Sequence, residues 1–178
     1  MDKLQAIVGD YAVFLGIMLE KVAAAGFDLD DFVQMDHMCY RVSSLQDYAQ
    51  KKQELQSVAT LLHETRVNGR PIASFRLHEP VKVKGWRVDT IELPAPKDGS
   101  AFAEGLEHIE FVIYDDIPAF LRKYSDKTFD MQSADRGINP EIGYKLDNGC
   151  GVKFHLLSLP AVVYLEKKLG ITEVSSKA

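Results

Sequence analysis

The sequence predicts an α+β fold in which a strand–helix–strand–strand–strand (βαβββ) module occurs twice, behind additional N-terminal helices. Three observations support this. Apolar residues near the N-terminus recur at helical spacing, the pattern changes period near residue 36, and the order of elements over residues 36–96 returns over residues 107–158. Residues 1–35 then form a helical segment and residues 159–178 a C-terminal helix and tail. We expect one compact domain, since 178 residues suffice for one full core.

The N-terminal segment has one apolar stripe at the i, i+3, i+4 spacing of a helix: Leu4, Ile7, Val8, Tyr11, Phe14, Leu15, Met18 and Val22. Gly26 is a plausible stop signal. The stretch DLDDFVQM predicts a short second helix, which Asp28 or Asp30 can cap. The stripe leaves open whether these helices cover a sheet edge, mediate homodimerisation or restrict access to a site.

The first module begins with a predicted strand at residues 36–42. Ser44 can cap the following helix, whose apolar side consists of Leu45, Tyr48, Leu55, Val58 and Leu62. After the turn-rich NGRP, residues 73–78 alternate as a strand does, and a loop through Lys84 and Gly85 leads to a strand at 86–93.

The second module begins with a predicted strand at residues 106–114. Asp116 and Pro118 favour a helix start, and residues 129–132 predict a short strand. Strands at 142–146 and 151–157 flank Asn148-Gly149, a strong hairpin signal. A last helix at 160–169 ends at Gly170, before the polar tail ITEVSSKA.

Overlaying the two modules matches four potential metal ligands. DHMCYRV falls on EHIEFVI and TIELPAP on KFHLLSLP, so His37 matches His108 and Glu92 matches His155. Because strand side chains alternate between faces, these residues share the face opposite the apolar one. Imidazole and carboxylate are ligands that Zn, Ni, Mn and Fe accept. If the modules face each other, the four side chains could hold one divalent metal; otherwise the face simply meets water.

Three further residues on this polar face, Arg41, Thr90 and Lys153, could bind an anionic substrate, or they could be solvated. Cys39 and Cys150 show neither metal-finger spacing nor a disulfide framework. No phosphate loop, nucleophile elbow or dinucleotide fingerprint occurs.

The bulk properties exclude some classes of partner. A net charge of −5 argues against nucleic acid, and no apolar run approaches the roughly 20 residues of a membrane span. The N-terminus lacks the pattern of a signal peptide, which predicts a cytoplasmic protein.

With DHMCYRV, IELPAP and EHIEFVI in this order, the chain resembles the vicinal oxygen chelate superfamily, which includes glyoxalase I, extradiol dioxygenases and bleomycin-resistance proteins. Taken whole, it looks closest to the YecM family. The resemblance implies a cup-shaped mixed sheet and a divalent metal held by His37, Glu92, His108 and His155. The metal would bind two neighbouring oxygen atoms of a small substrate.

The last implied ligand is a departure, because glyoxalase-like members usually have a glutamate where this chain has His155. Glu92 would then be the catalytic base, with Glu110 as a possible partner. The sequence therefore predicts a metal-dependent isomerase, lyase or dioxygenase. The alternatives are a non-catalytic protein that binds a small ligand in the same cup, and a module whose sheet face meets a protein partner.

Overall fold

The computed structural model describes residues 2–97, 103–147 and 149–174. The helices within these ranges are α1 (Lys3–Val8), α2 (Tyr11–Ala24), α3 (Leu45–Leu55), α4 (Ile117–Lys123) and α5 (Leu159–Leu169). The strands are β1 (Phe32–Arg41), β2 (Ala59–Val67), β3 (Arg70–Val83), β4 (Trp86–Pro94), β5 (Gly105–Ile113), β6 (Glu141–Lys145), β7 (Gly151–His155) and β8 (Glu173–Val174). None of the described helices combines the length and hydropathy that a membrane span requires.

The described strands form one mixed, curled sheet in the order β6-β7-β5-β1-β4-β3-β2-β8. In each half the first strand pairs in parallel with the last strand of its own module, β1 with β4 and β5 with β7. The two halves meet at the centre, where β1 and β5 are antiparallel. The predicted α+β, cup-shaped fold is confirmed.

The N-terminal helices pack on the apolar face of this sheet. Helix α2 contacts β3 and β5, and its buried residues belong to the main core. An aromatic cluster lies in the same core, where the rings of Phe32, Phe111 and Phe154 have centroids 4.4 to 6.4 Å apart. Truncating such a buried phenylalanine costs about 3–5 kcal/mol. The helices therefore complete the core and do not control access to the opposite face.

The N-terminal stripe belongs to two helices. Gly9 adopts a positive φ of 82°, and the Asp10 side chain accepts a hydrogen bond of 3.1 Å from the backbone N–H of Val13, which starts α2. The expected second helix is only a 3₁₀ turn at Leu29–Asp31, with Asp28 as its cap, and β1 already begins at Phe32.

The helix of the first module is shorter than predicted. Ser44 caps α3 as expected, but the helix ends at Leu55. Val58 lies beyond it and Leu62 lies within β2, a strand that the helical pattern concealed. Asn68 and Gly69, both with positive φ, make the tight turn from β2 to β3.

The second module matches its prediction more closely. The Asp116 side chain caps α4 by accepting a 2.7 Å hydrogen bond from Ala119, and β6 and β7 pair as the expected hairpin. Asn148 lies outside the described residues. The strand expected at 129–132 is only an isolated bridge between Asp130 and Gly143. The C-terminal tail, expected to be only polar, contains β8, which pairs in parallel with β2.

Candidate metal centre

A cavity of about 590 Å³ lies on the polar face of the sheet. Strands of both modules line it, together with the loop at 130–139, α5 and β8. The predicted histidines on this face are buried: His37 is 3% exposed, His108 5% and His155 1%. These three side chains are therefore shielded from bulk water and are not presented on the surface to a protein partner.

Four side chains converge beside this cavity. His37, Glu92, His108 and Glu110 each offer a ligand atom, and these atoms all lie within 4.8 Å of one another. The strand pairing explains the convergence, since His37 pairs with Glu110 across β1 and β5, while Glu92 on β4 pairs with the neighbouring Cys39. Three of the four are predicted ligands; Glu110 was predicted as a catalytic residue.

The two central histidines are oriented by carboxylates. Nδ1 of His37 lies 2.9 Å from Oδ2 of Asp36, and Nδ1 of His108 hydrogen-bonds Glu107. A carboxylate on Nδ1 fixes the ring and leaves Nε2 as the ligand atom, as metal-binding histidines commonly require. Nε2 of His37 is buried and has no hydrogen-bond partner among the residues that the structure describes, although it lies 3.3 Å from Oε1 of Glu110. This donor set of imidazole nitrogens and carboxylate oxygens fits a borderline divalent metal.

His108 also belongs to a second possible group, with Cys39 and Glu107. Glu107, however, already contacts Nδ1 of His108 and forms an ion pair of 3.2 Å with Arg41. The group around Glu110 is therefore the better candidate.

His155 is adjacent to this cluster but is not part of it. Its Nε2 lies 3.3 Å from Oε2 of Glu110 and 3.6 Å from Oδ2 of Asp36. Its ligand atom groups within 4.8 Å with those of Asp36 and His37, and not with those of Glu92 and His108. Neither ring nitrogen of His155 has a hydrogen-bond partner among the described residues.

Asp36 joins the site through an irregularity in β1. The pairing of β1 with β5 shifts between Met35 and His37, so Asp36 is an extra residue and lines the cavity together with His37. Its Oδ2 also accepts a 2.8 Å hydrogen bond from the backbone N–H of Leu159, at the start of α5. Strict alternation from His37 would put Asp36 on the apolar face. An acid is unfavourable there, and this was the sign in the sequence that β1 contains a bulge.

Glu110 is a buried carboxylate in contact with Lys153 and with three histidines. Burial raises the pKa of this carboxyl, but the charges of Lys153 and His37 and its hydrogen bonds outweigh burial and hold it well below its usual range. Burial likewise lowers the pKa of the His37 imidazole, and the charge of Glu110 with the Asp36 hydrogen bond raises it well above its usual range. The buried carboxylate of Glu110 thus favours the charged forms of Lys153 and His37 beside it.

The three residues predicted to bind an anionic substrate have different positions. Arg41 and Lys153 line the cavity, and Lys153 lies 2.7 Å from Oε1 of Glu110. Thr90 is fully buried, does not line the cavity and donates its hydroxyl hydrogen to Asp89. Arg70, which matches no position of the duplicated pattern, also lines the cavity.

The model of the YecM protein family matches residues 3–166. This chain belongs to the YecM family. Protein YecM of Escherichia coli (strain K12) is 34% identical to it over 113 residues, which are 64% of this chain and 60% of that protein. The match thus spans about three fifths of the relative's length.

Solved structures agree with the predicted fold. A structural-genomics protein, EC4020, superimposes with a TM-score of 0.74 and 27% identity, covering 93% of this chain and 94% of that one. The Streptomyces coelicolor methylmalonyl-CoA epimerase, in complex with 2-nitronate-propionyl-CoA, gives a TM-score of 0.51 at 15% identity, covering 72% and 99%. At this identity the likeness to the epimerase shows the fold alone, and this is the fold that the resemblance to the vicinal oxygen chelate superfamily implied.

Proposed function

We propose that this YecM-family chain is a divalent-metal enzyme of the vicinal oxygen chelate type, acting on a small oxygenated substrate. The observation that carries the proposal is the convergence of His37, Glu92, His108 and Glu110, with both histidines oriented through Nδ1. The adjoining 590 Å³ cavity is within the usual range for small-molecule sites.

The ligands in this proposal are His37 and His108 through Nε2, with carboxylate oxygens of Glu92 and Glu110. The metal can be Zn, Ni, Mn or Fe, since each accepts nitrogen and oxygen ligands. When bound, it would supply Lewis-acid stabilisation for negative charge that develops on substrate oxygen atoms. This charge stabilisation is common to isomerase, lyase and dioxygenase chemistry, so the geometry favours none of the three.

The two glutamates have different surroundings and, in this proposal, different tasks. Glu110 contacts His37, His108, His155 and Lys153, so its oxygen atoms are already engaged. Glu92 is half-buried, faces the cavity and forms no side-chain hydrogen bond within the described ranges. Glu92 is therefore the better placed to accept a proton from a substrate, whereas Glu110 serves only as a metal ligand between the two histidines.

The test is elemental analysis of the purified protein without a histidine tag, beside a His37→Ala/His108→Ala double variant. His78→Ala is the matched control, because His78 is an exposed histidine of β3 outside the cluster. We expect close to one metal ion per chain in the wild type and in His78→Ala, and none in the double variant. The metal identified in this way would then be used in assays with diol and ketoaldehyde substrates.

Two outcomes would count against the proposal. If the wild type takes up no Zn, Ni, Mn or anaerobic Fe(II), the metal site does not exist and a metal-free binding protein is the better description. If metal binds and ligands bind but nothing is turned over, the same cup is a binding site without catalysis.

A further inference from the structure

The basic residues around the cavity differ in how their charges are balanced. Within the described ranges, five lysines and arginines line it: Arg41, Arg70, Lys97, Arg136 and Lys153. Three have carboxylate partners at 2.7 to 3.2 Å: Arg41 with Glu107, Arg136 with Glu141, and Lys153 with Glu110 and Glu141. Lys97 is exposed, so water can solvate its charge.

Arg70 has neither kind of compensation. It is only partly exposed, and no carboxylate within the described ranges lies within the 4.0 Å of an ion pair with its guanidinium group. Its side chain also makes no hydrogen bond to these residues. A partly desolvated guanidinium without a partner is unfavourable, and a bound anion would relieve that cost.

The position of Arg70 connects it to the candidate metal centre. Arg70, Ile72 and Ser74 alternate along β3 and all line the cavity, and Ser74 pairs with Glu92 on β4. The Cα atoms of Arg70 and Ser74 are about 13 Å apart at the usual rise of a strand. Burial lowers the pKa of the Arg70 guanidinium, and the charge of Glu92 offsets only part of this effect. In the proposed function Glu92 binds a metal cation, which neutralises its charge. The positive charge of Arg70 is then balanced even less, and a bound anion would stabilise it more.

We propose that Arg70 binds the carboxylate of the substrate, and that the cavity takes a small oxygenated carboxylic acid. The reacting end of this acid lies beside Glu92 and His108, so this part of the inference rests on the proposed function. One unbalanced guanidinium matches one negative charge in a bidentate pair. A phosphate dianion fits less well, because its second charge would face the carboxylates of the same cavity.

Binding, not turnover, provides the test. The protein would first have its metal content measured by elemental analysis. It would then be titrated calorimetrically with pyruvate, 2-oxobutyrate and lactate, and with their methyl esters and inorganic phosphate for comparison. We expect the acids to bind at least about 10-fold more tightly than their esters. Arg70→Gln should weaken acid binding about 10- to 100-fold, as loss of a charge-assisted pair does. Lys97→Gln, which removes an exposed charge from the same cavity, should change it less than about twofold.

The wild-type comparison of acid and ester keeps the proposal testable even if Arg70→Gln folds poorly. Arg70→Lys, which keeps the charge but loses the planar fork, should give an intermediate affinity. Esters binding as tightly as acids, acids binding equally to wild type and Arg70→Gln, or no acid binding to the wild type would overturn the proposal. So would phosphate binding more tightly than the acids.

The two proposals can fail separately. Arg70-dependent binding of the acids by a protein that holds no metal would leave the carboxylate site and remove the metal enzyme. A stoichiometric metal together with acid binding that does not depend on Arg70 would support the metal enzyme and contradict the carboxylate site.

Discussion

At the scale of single residues, the open question is whether Glu110 or His155 completes the metal site. Oε1 of Glu110 contacts both central histidines, whereas His155 contacts Oε2, and its Nδ1 has no hydrogen-bond partner in the part of the chain that the structure describes. We therefore expect Glu110→Gln to lower metal affinity by 10-fold or more, as loss of a charged ligand should. His155→Ala should keep a stoichiometric metal with affinity reduced about threefold or less.

Calorimetric metal titration of both variants would decide this. Circular dichroism spectra must first show that each variant is folded, because Glu110 is a buried anion among positive charges. If His155→Ala loses the metal and Glu110→Gln keeps it, the ligand set implied by the superfamily resemblance is correct and the geometric assignment is wrong.

The residues of the site differ in how far the sequence could predict them. His37, Glu92 and His108 followed from the duplicated pattern, because alternation is reliable within regular strands. Asp36 could not follow from it, because a single bulge reverses the alternation at that point. Arg70 lies at the start of a strand that the sequence suggested only from residue 73, so no face could be assigned to it.

At the scale of elements, α5 is tied to the metal centre through Asp36, which contacts His37 and accepts a hydrogen bond from Leu159. We predict that Asp36→Asn lowers metal affinity about 10- to 100-fold, the usual effect of losing a partner that orients a ligand. Hydrogen exchange at the start of α5 should also become faster, because the helix loses a charged acceptor at its N-terminus.

The matched control is Glu166→Gln. Glu166 is also buried on α5, but its carboxylate accepts a hydrogen bond of 2.8 Å from Thr65 on β2 and does not touch His37. This variant should affect exchange in α5 and leave metal affinity within about twofold. Equal effects of the two variants on metal affinity would show that Asp36 acts only through the general stability of α5.

The contact between α3 and β2 provides a second element-scale prediction. Oε2 of Glu64 on β2 accepts a 2.7 Å hydrogen bond from Tyr48 and pairs with Lys52, both on α3. Burial raises the pKa of the Glu64 carboxyl, but these partners outweigh it and lower the pKa below its ordinary 4.5. Stability from this group is therefore present above about pH 4.5 and is lost as pH falls through the lowered value.

Urea unfolding of wild type and Glu64→Gln at neutral and acid pH would measure this. We expect the variant to be less stable near neutral pH and to lose less free energy of unfolding below about pH 4.5. Glu79→Gln, at an exposed glutamate of β3, should behave as wild type. A parallel decline of Glu64→Gln and wild type with acid would contradict the assignment.

The errors in element prediction have a common physical cause. Residues 58–62 are apolar at positions that suit both a helix and a strand, so α3 appeared to continue into what is β2. Asn68-Gly69 is a pair typical of hairpin turns, and a hairpin requires a strand before its turn. This pair was therefore the signal that a strand, and not the end of a helix, precedes residue 68. β8 has only two residues, Glu173 and Val174, and its pairing with β2 is a tertiary effect that no local pattern contains.

At the scale of the whole molecule, the site joins the two halves of the fold. His37 lies on β1 and His108 on β5, the antiparallel pair where the two modules meet. The duplicated pattern predicted the two modules, and the resemblance to the vicinal oxygen chelate superfamily implied the site between their first strands. A metal bound between the modules would bind the unfolded chain only weakly, since these two ligands are then far apart.

The last prediction follows from this arrangement. A ligand that binds only the folded state stabilises it by about 2.7 kcal/mol at 100 times its dissociation constant. For a chain of this size that raises the melting temperature by roughly 5–10 °C. Thermal unfolding of metal-free protein with and without the metal found by elemental analysis should show this rise in the wild type and none in His37→Ala/His108→Ala. A metal that binds the wild type stoichiometrically without raising its melting temperature would bind folded and unfolded chains alike, and so could not occupy a site assembled by the fold.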